Sequence, residues 1–95
     1  MMDLGAFRQS LAGAEPPAGL DPAVAGLWWD AKGDWGRAHE CAQQEDTRAG
    51  CAVHAYLHRK EGDLSNARYW YNRAGKEPAS GTLEAEWEAL ARELL

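Results

Sequence analysis

Apolar residues recur every three or four positions along most of the chain, and no segment has the strict alternation of a half-buried β-strand. The final run is a clear example, because Leu83, Trp87, Leu90 and Leu94 fall on one face of a helix. This pattern predicts an all-α protein.

Cap residues and glycines divide the pattern into six helices. Ser, Thr and Asp side chains favour helix starts, and Gly favours helix ends. Asp21 before Pro22 is such a start signal, since proline in the first turn loses no hydrogen bond. The predicted helices follow Asp3, Asp21, Asp34, Asp46 or Thr47, Asp63, and Ser80 or Thr82, and the first five end near Gly13, Gly33, Gln44, Gly62 and Gly75.

The second to fifth helices form an internal repeat around two Gly-Asp turns. Segment 27–38 aligns with segment 56–67, with Gly33 on Gly62, Asp34 on Asp63 and Ala38 on Ala67. This pattern resembles the tetratricopeptide repeat, whose two helices are joined by a Gly-Asp-aromatic turn. The resemblance covers residues 20–78. Residues 69–75 are also similar to Sel1-like repeats, and residues 54–63 are similar to a group of small uncharacterised microbial proteins.

The resemblance implies a six-helix, right-handed, tetratricopeptide-like array of αα-hairpins. Two helix pairs are fewer than the three that usually stabilise such an array. We therefore expect the first and last helices to cap the array at both ends. We also expect residues 1–95 to form a single domain, because a chain of 95 residues suits one hydrophobic core.

Composition and charge narrow the classes of function. No apolar run reaches the roughly 18 residues of a transmembrane helix, and the first residues lack a signal-peptide pattern, so we expect a cytoplasmic protein that does not enter membranes. The net charge of -5 argues against nucleic-acid binding. Cys41 and Cys51 are too few for a disulfide framework.

The resemblance also implies a binding face, because tetratricopeptide repeats bind peptides on the concave face formed by the first helix of each pair. Here that face would carry Leu27, Asp30, Tyr56, Arg59 and Lys60. An arginine such as Arg59 can hold a carboxylate through two hydrogen bonds. Arg59 and Lys60 also suit an exposed helix end, where cations interact favourably with the helix dipole. We predict a non-catalytic module without a cofactor that binds an acidic or carboxylate-bearing protein segment.

A second candidate site lies on the fourth helix, where Cys51, His54 and His58 share one face. These residue types bind zinc, and His39 on the preceding helix is a candidate for a further ligand. The same positions face the partner helix in the repeat, where a histidine usually packs and donates one hydrogen bond. The sequence therefore favours a core role and leaves a metal-binding protein as the alternative.

A hydrolytic form of this alternative would pair His54 or His58 with Asp30 or Asp34 as acid and base. No serine lies in a glycine-flanked nucleophile motif. We therefore assign no catalytic residue from the sequence.

The large aromatic residues fall into two sets. Trp29, Trp35, Tyr71 and Trp87 lie on predicted inward faces, and Trp28, Tyr56, Tyr69 and Trp70 lie off them. Four aromatic residues off the core faces are many for so small a surface. A structural homodimer that pairs through these side chains is thus a further alternative.

Overall fold

The structure is a computed structural model that describes residues 2–95. The regular elements in that range are all α-helices, so the all-α prediction is confirmed. The helices are α1 Leu4–Ser10, α2 Pro22–Ala31, α3 Trp35–Gln44, α4 Arg48–Glu61, α5 Leu64–Ala74 and α6 Leu83–Leu94.

The helix starts follow the cap residues, and the structure decides the two open choices. Thr47 caps α4 and Thr82 caps α6, each accepting the backbone N–H three residues later. The cap of α2 differs, because Asp21 makes no side-chain hydrogen bond. The carboxylate of Glu45 instead accepts the N–H of Ala23 at 3.1 Å. A residue distant in sequence therefore satisfies this helix end.

The first helix is shorter than predicted. It ends at Ser10 and not near Gly13. Residues 11–13 continue as turns, in which each N–H bonds to the carbonyl three residues earlier. This spacing is tighter than that of an α-helix.

The two repeated turns have the same backbone geometry. Gly33 and Gly62 have φ angles of +83° and +89°, a region in which residues with a side chain are strained. The N–H of each following Asp bonds to the carbonyl five residues earlier at 3.0 Å. Both turns therefore reverse the chain in the same way, and α2 packs on α3 as α4 packs on α5.

The last helix lies across the first helices of both pairs, since α6 contacts α2 and α4. Its Trp87 is buried, stacks on Phe7 and donates its indole N–H to the carbonyl oxygen of Leu27 at 2.9 Å. The apolar face of α6 is therefore buried against α2 as well as α4. The expected role of α6 as an end cap of a tetratricopeptide-like array stays a prediction.

The burial of the aromatic residues departs from the periodicity at four positions. Trp28 is fully buried, whereas Trp29 and Trp35 are only partly buried. Tyr56 is buried as well, and Tyr71 and Trp87 are buried as predicted. Both α2 and α4 contact α6 in addition to their pair partners. Residues of α2 and α4 that do not face their pair partners are therefore buried as well.

Two further features bear on the expectations from composition. Within residues 2–95, no helix combines the length and the apolar character that crossing a membrane requires. Cys41 and Cys51 are both free thiols.

Candidate metal centre

The three histidines of the chain meet between α3 and α4. His39 comes from α3, and His54 and His58 come from α4. One nitrogen from each imidazole lies within 4.8 Å of the other two. The Nε2 atoms of His39 and His54 are 2.9 Å apart and share a hydrogen bond. The cluster therefore brings three nitrogen donors to one point.

Helix geometry explains half of this arrangement. His54 and His58 are four residues apart on α4, so their side chains lie one above the other on the same face. His39 reaches them because α3 packs against α4. Close approach of α3 to α2 also requires Gly26, since a Cβ atom there would lie 3.1 Å from the carbonyl oxygen of Ala38.

A carboxylate orients one imidazole of the cluster. The Nδ1 atom of His58 is 2.6 Å from Oε2 of Glu61, one turn later on α4. The Nε2 atom of His58 is then the nitrogen left for a ligand. Metal-bound histidines commonly have such a carboxylate on the second ring nitrogen, which fixes the orientation of the ring and makes it a better donor.

Two tryptophans hold the other imidazoles in place. Trp35 stacks on His39 with 4.8 Å between ring centroids, and its indole N–H donates to the carbonyl oxygen of Leu57 at 2.9 Å. Trp70 stacks on His54 with 3.9 Å between ring centroids. The sequence placed Trp70 off the core faces, but its ring covers one side of the cluster. The imidazoles thus have fixed orientations before any ligand binds.

The histidines are suited to metal binding by their protonation state. Burial is the main cause that lowers the pKa of His54 to about 4, and the neighbouring His39 and His58 add to it. Burial and then His58 also lower the pKa of His39. Both rings are therefore neutral near pH 7, the state that metal binding requires. One of the two bonded Nε2 atoms carries the shared proton, so a metal would replace this hydrogen bond and that ring would carry its proton on Nδ1.

The donor set fits a divalent transition metal. Imidazole nitrogens bind Zn²⁺, Co²⁺, Ni²⁺ and Cu²⁺, whereas Mg²⁺ and Ca²⁺ prefer oxygen. Tetrahedral coordination at about 2.0 Å places nitrogens about 3.3 Å apart. The 2.9 Å separation of His39 and His54 would therefore open slightly, and the other nitrogens, which lie within 4.8 Å, would move closer by at most about 1.5 Å. Glu40 and Glu61 both act electrostatically on His39. The negative charges of these two carboxylates would balance the double positive charge of the metal ion.

The candidate thiol does not join the cluster. Cys51 is buried but is absent from the groups of converging donors. It precedes His58 by seven residues, which is about 10 Å along a helix axis. A shared face is therefore not sufficient, and of the four candidates considered beside the favoured core role the structure brings together His39, His54 and His58.

The acid–base pairs considered from the sequence are not formed. Asp30 bonds to Tyr56 and Lys60, and Asp34 caps α3 by accepting the N–H of Arg37 at 3.0 Å. The histidine cluster is contacted instead by Glu61. The sequence signal for Glu61 was its position three residues after His58, which is one helical turn.

A second group of donors consists of His58, Glu61 and Asp63. The Asp63 carboxylate caps α5 by accepting the N–H of Asn66. Because this carboxylate already has a structural role and is exposed, the three-histidine group is the better-formed site.

The residues predicted for the concave face are partly enclosed. Leu27 is fully buried, and Asp30 is buried and accepts hydrogen bonds from Tyr56 at 2.6 Å and from Lys60 at 2.8 Å. Burial and the Asp30 contact raise the pKa of the Tyr56 phenol, which therefore remains a neutral donor. Asp30, Tyr56 and Lys60 form one polar network within the chain.

Arg59 is engaged by the last helix. Its guanidinium lies 2.9 Å from the carboxylate of Glu86 and also donates to the carbonyl oxygen of Gly81. The acidic group that faces Arg59 is thus part of the same chain. Binding of an external acidic segment by Arg59 and Lys60 stays a prediction, and it requires that these internal contacts open.

No protein-family model, curated protein or solved structure matches this chain. The geometry of the histidine cluster is therefore the basis for a functional proposal.

Proposed function

We propose that this chain is a small helical protein that binds one divalent transition metal ion, of the zinc class, through His39, His54 and His58. The observation that carries the proposal is the convergence of all three histidines of the chain within 4.8 Å. Two of the rings are buried and one is oriented by a carboxylate. Three histidines that packed together only by chance would not need a carboxylate such as Glu61 to orient one of their rings.

The bound metal would act as a link between α3 and α4. The buried side chains of α3 are those of the small residues Ala38 and Ala42, and the larger contact with α4 comes from the partly buried Trp35, which bonds to Leu57. A metal that joins His39 to His54 and His58 would add a second link between these helices. Because a site of this kind exists only in the folded chain, metal binding would stabilise the fold.

The finer architecture and location belong to the same proposal. We propose that α2–α3 and α4–α5 are tetratricopeptide-like pairs with a right-handed arrangement. The matching glycine turns and their hydrogen bonds support this. The free thiols agree with the cytoplasmic location expected from the sequence.

Metal titration tests the proposal directly. Protein stripped of metal by a chelator is first titrated with Co²⁺, whose visible absorption indicates whether the bound ion is four-coordinate. Zn²⁺ is then added to compete with Co²⁺ for the site. We expect one metal per chain. The chain has no histidine outside the cluster, so His54→Gln should abolish binding if imidazole is the ligand. Cys51→Ala is the matched control and should bind as the wild type does.

A second comparison tests the orienting carboxylate. Glu61→Gln should weaken binding by about 10- to 100-fold, as loss of such partners does in other sites. Glu40→Gln removes a nearby carboxylate that makes no hydrogen bond to the cluster, and it should have a smaller effect. Failure to bind Co²⁺ and Zn²⁺, or unchanged binding in His54→Gln, would disprove the proposal.

A further inference from the structure

A groove opens where the ends of four helices meet, away from the histidines. Its volume is about 580 Å³, within the range of small-molecule sites. Asp30, Tyr56 and Lys60 line its inner part, Leu11, Leu83 and Trp87 supply apolar lining, and the charged side chains of Arg8 and Glu84 lie at its margin. The groove therefore combines one polar network with an apolar wall.

The buried charge in this groove is a carboxylate. The Asp30 side chain is 3% exposed, whereas the Lys60 side chain bonded to it is 39% exposed. Lys60 is the exposed partner, so its ammonium can move into water when another cation takes its place, whereas Asp30 left without any cation would be destabilised. The Asp30 carboxylate has no such access to water. A cation other than Lys60 that reached it would be held in the same place.

Helix ends add to the preference for a cation. Leu83 and Glu84 line the groove at the N-terminal end of α6, where the Glu84 carboxylate offsets the positive end of the helix dipole. Leu11, Ala31 and Lys60 line it at or next to the C-terminal ends of α1, α2 and α4. Such ends carry partial negative charge on their carbonyl groups. The chain itself uses this property, because the ammonium of Lys32 bonds to the carbonyl oxygen of Leu11 at 2.7 Å.

The apolar wall includes an aromatic ring that already has a cation beside it. The guanidinium carbon of Arg8 lies 5.6 Å from the ring centroid of Trp87. Cations are attracted to the faces of such rings. Arg8 itself is paired with Glu88 at 2.7 Å, so its positive charge is balanced within the chain.

We propose that this groove binds a small primary amine with an apolar body, whose ammonium replaces that of Lys60 on the Asp30 carboxylate. The body of the amine would lie against Trp87 and Leu83. This ligand class is opposite in charge to the carboxylate-bearing segment that the sequence predicted for Tyr56 and Lys60. The two predictions can therefore be separated by one experiment.

The test uses three ligands of similar shape and different charge. Phenethylamine, phenethyl alcohol and phenylacetate are titrated into the full-length protein, and binding is followed by the backbone amide signals of residues 30, 56, 60 and 87. We expect phenethylamine to bind about tenfold or more tightly than the alcohol, and phenylacetate to leave these signals unchanged. Equal binding of amine and alcohol, tighter binding of phenylacetate or no binding of the amine would overturn the proposal.

Two variants test the role of the buried carboxylate. Asp30→Asn keeps the shape of the side chain and should remove the preference for the amine. Glu84→Gln is the matched control, because it removes an exposed carboxylate from the lining of the same groove and should preserve that preference. Lys60→Met removes the competing ammonium and should tighten amine binding by about tenfold, which gives a second reading if Asp30→Asn does not fold. Unchanged amine affinity in Lys60→Met would contradict the replacement.

Discussion

Lowering the pH from about 7 to about 5 should destabilise the metal-free protein through His54. In the folded protein, burial and the neighbouring histidines lower the pKa of this residue to about 4. In an unfolded chain the pKa of histidine is about 6.5, so the unfolded state binds more protons between these values. The stability due to neutral His54 is therefore complete above about pH 6.5 and is lost as the pH falls toward about 4.

The size of the effect follows from the two pKa values. The difference between the two pKa values corresponds to about 3 kcal/mol of unfolding free energy, which is present above about pH 6.5 and is lost below about pH 4. About 2 kcal/mol of this is lost by about pH 5. For a chain of this length, each kcal/mol lowers the melting temperature by roughly 4–8 °C. His54 alone should thus lower it by about 10 °C between about pH 7 and about pH 5.

The assay compares wild type with His54→Phe by thermal unfolding in the presence of a chelator. Phenylalanine can still stack on Trp70 but cannot take up a proton. The free energy of unfolding of the variant should therefore fall by about 2 kcal/mol less than that of the wild type on going to about pH 5. The carboxylates titrate in the same way in both proteins, so the comparison reports on His54 together with His39, which loses its hydrogen bond to His54 in the variant.

The same pH dependence in both proteins would refute this reasoning. So would a pKa of His54 near its ordinary value in an NMR titration of the folded protein. Either result would mean that the imidazole is solvated and that the cluster does not supply a neutral, buried donor.

Other predictions concern the metal and the packing. Zn²⁺ at a hundredfold excess over its Kd should raise the free energy of unfolding by about 3 kcal/mol, measured by urea denaturation, and should not do so in His39→Gln. Gly50→Ala would place a Cβ atom 1.9 Å from the carbonyl oxygen of Glu45, so we expect a loss of about 3 kcal/mol. Gly36→Ala, whose Cβ atom would meet only ordinary contacts, should instead stabilise α3 by about 0.5 kcal/mol. Trp87→Phe removes one buried hydrogen bond and should cost about 1–3 kcal/mol. Equal melting temperatures for Gly50→Ala and Gly36→Ala, or for Trp87→Phe and the wild type, would contradict the packing described above.

The helices and their ends were predictable because they depend on neighbours in sequence. A cap such as Thr47 or Thr82 acts on an N–H three residues away. Gly33 and Gly62 end their helices because a positive φ costs little without a side chain. The exception supports the rule, since the start of α2 is bonded by Glu45 from a distant turn and not by its own cap residue.

The candidate site was predictable only in part. The spacing of His54 and His58 placed both rings on one face, and Glu61 follows one turn later. The same periodicity wrongly included Cys51, because a shared face does not measure distance along the helix axis. Which ring of α3 meets this face depends on how closely α3 and α4 pack, and the 2.9 Å contact between His39 and His54 is a property of that packing.

The sequence by itself determined the six helices, the two matching turns and the pairing of neighbouring helices, because hydrogen bonds and rotamers within a few residues set these features. Only the tertiary structure decided where α6 lies. That position places Leu83 and Trp87 beside Tyr56, and it partly encloses the face that was predicted to be open. The reason is physical: the hydrogen bond from Trp87 to Leu27 joins residues 60 positions apart, and local periodicity carries no information about such a contact.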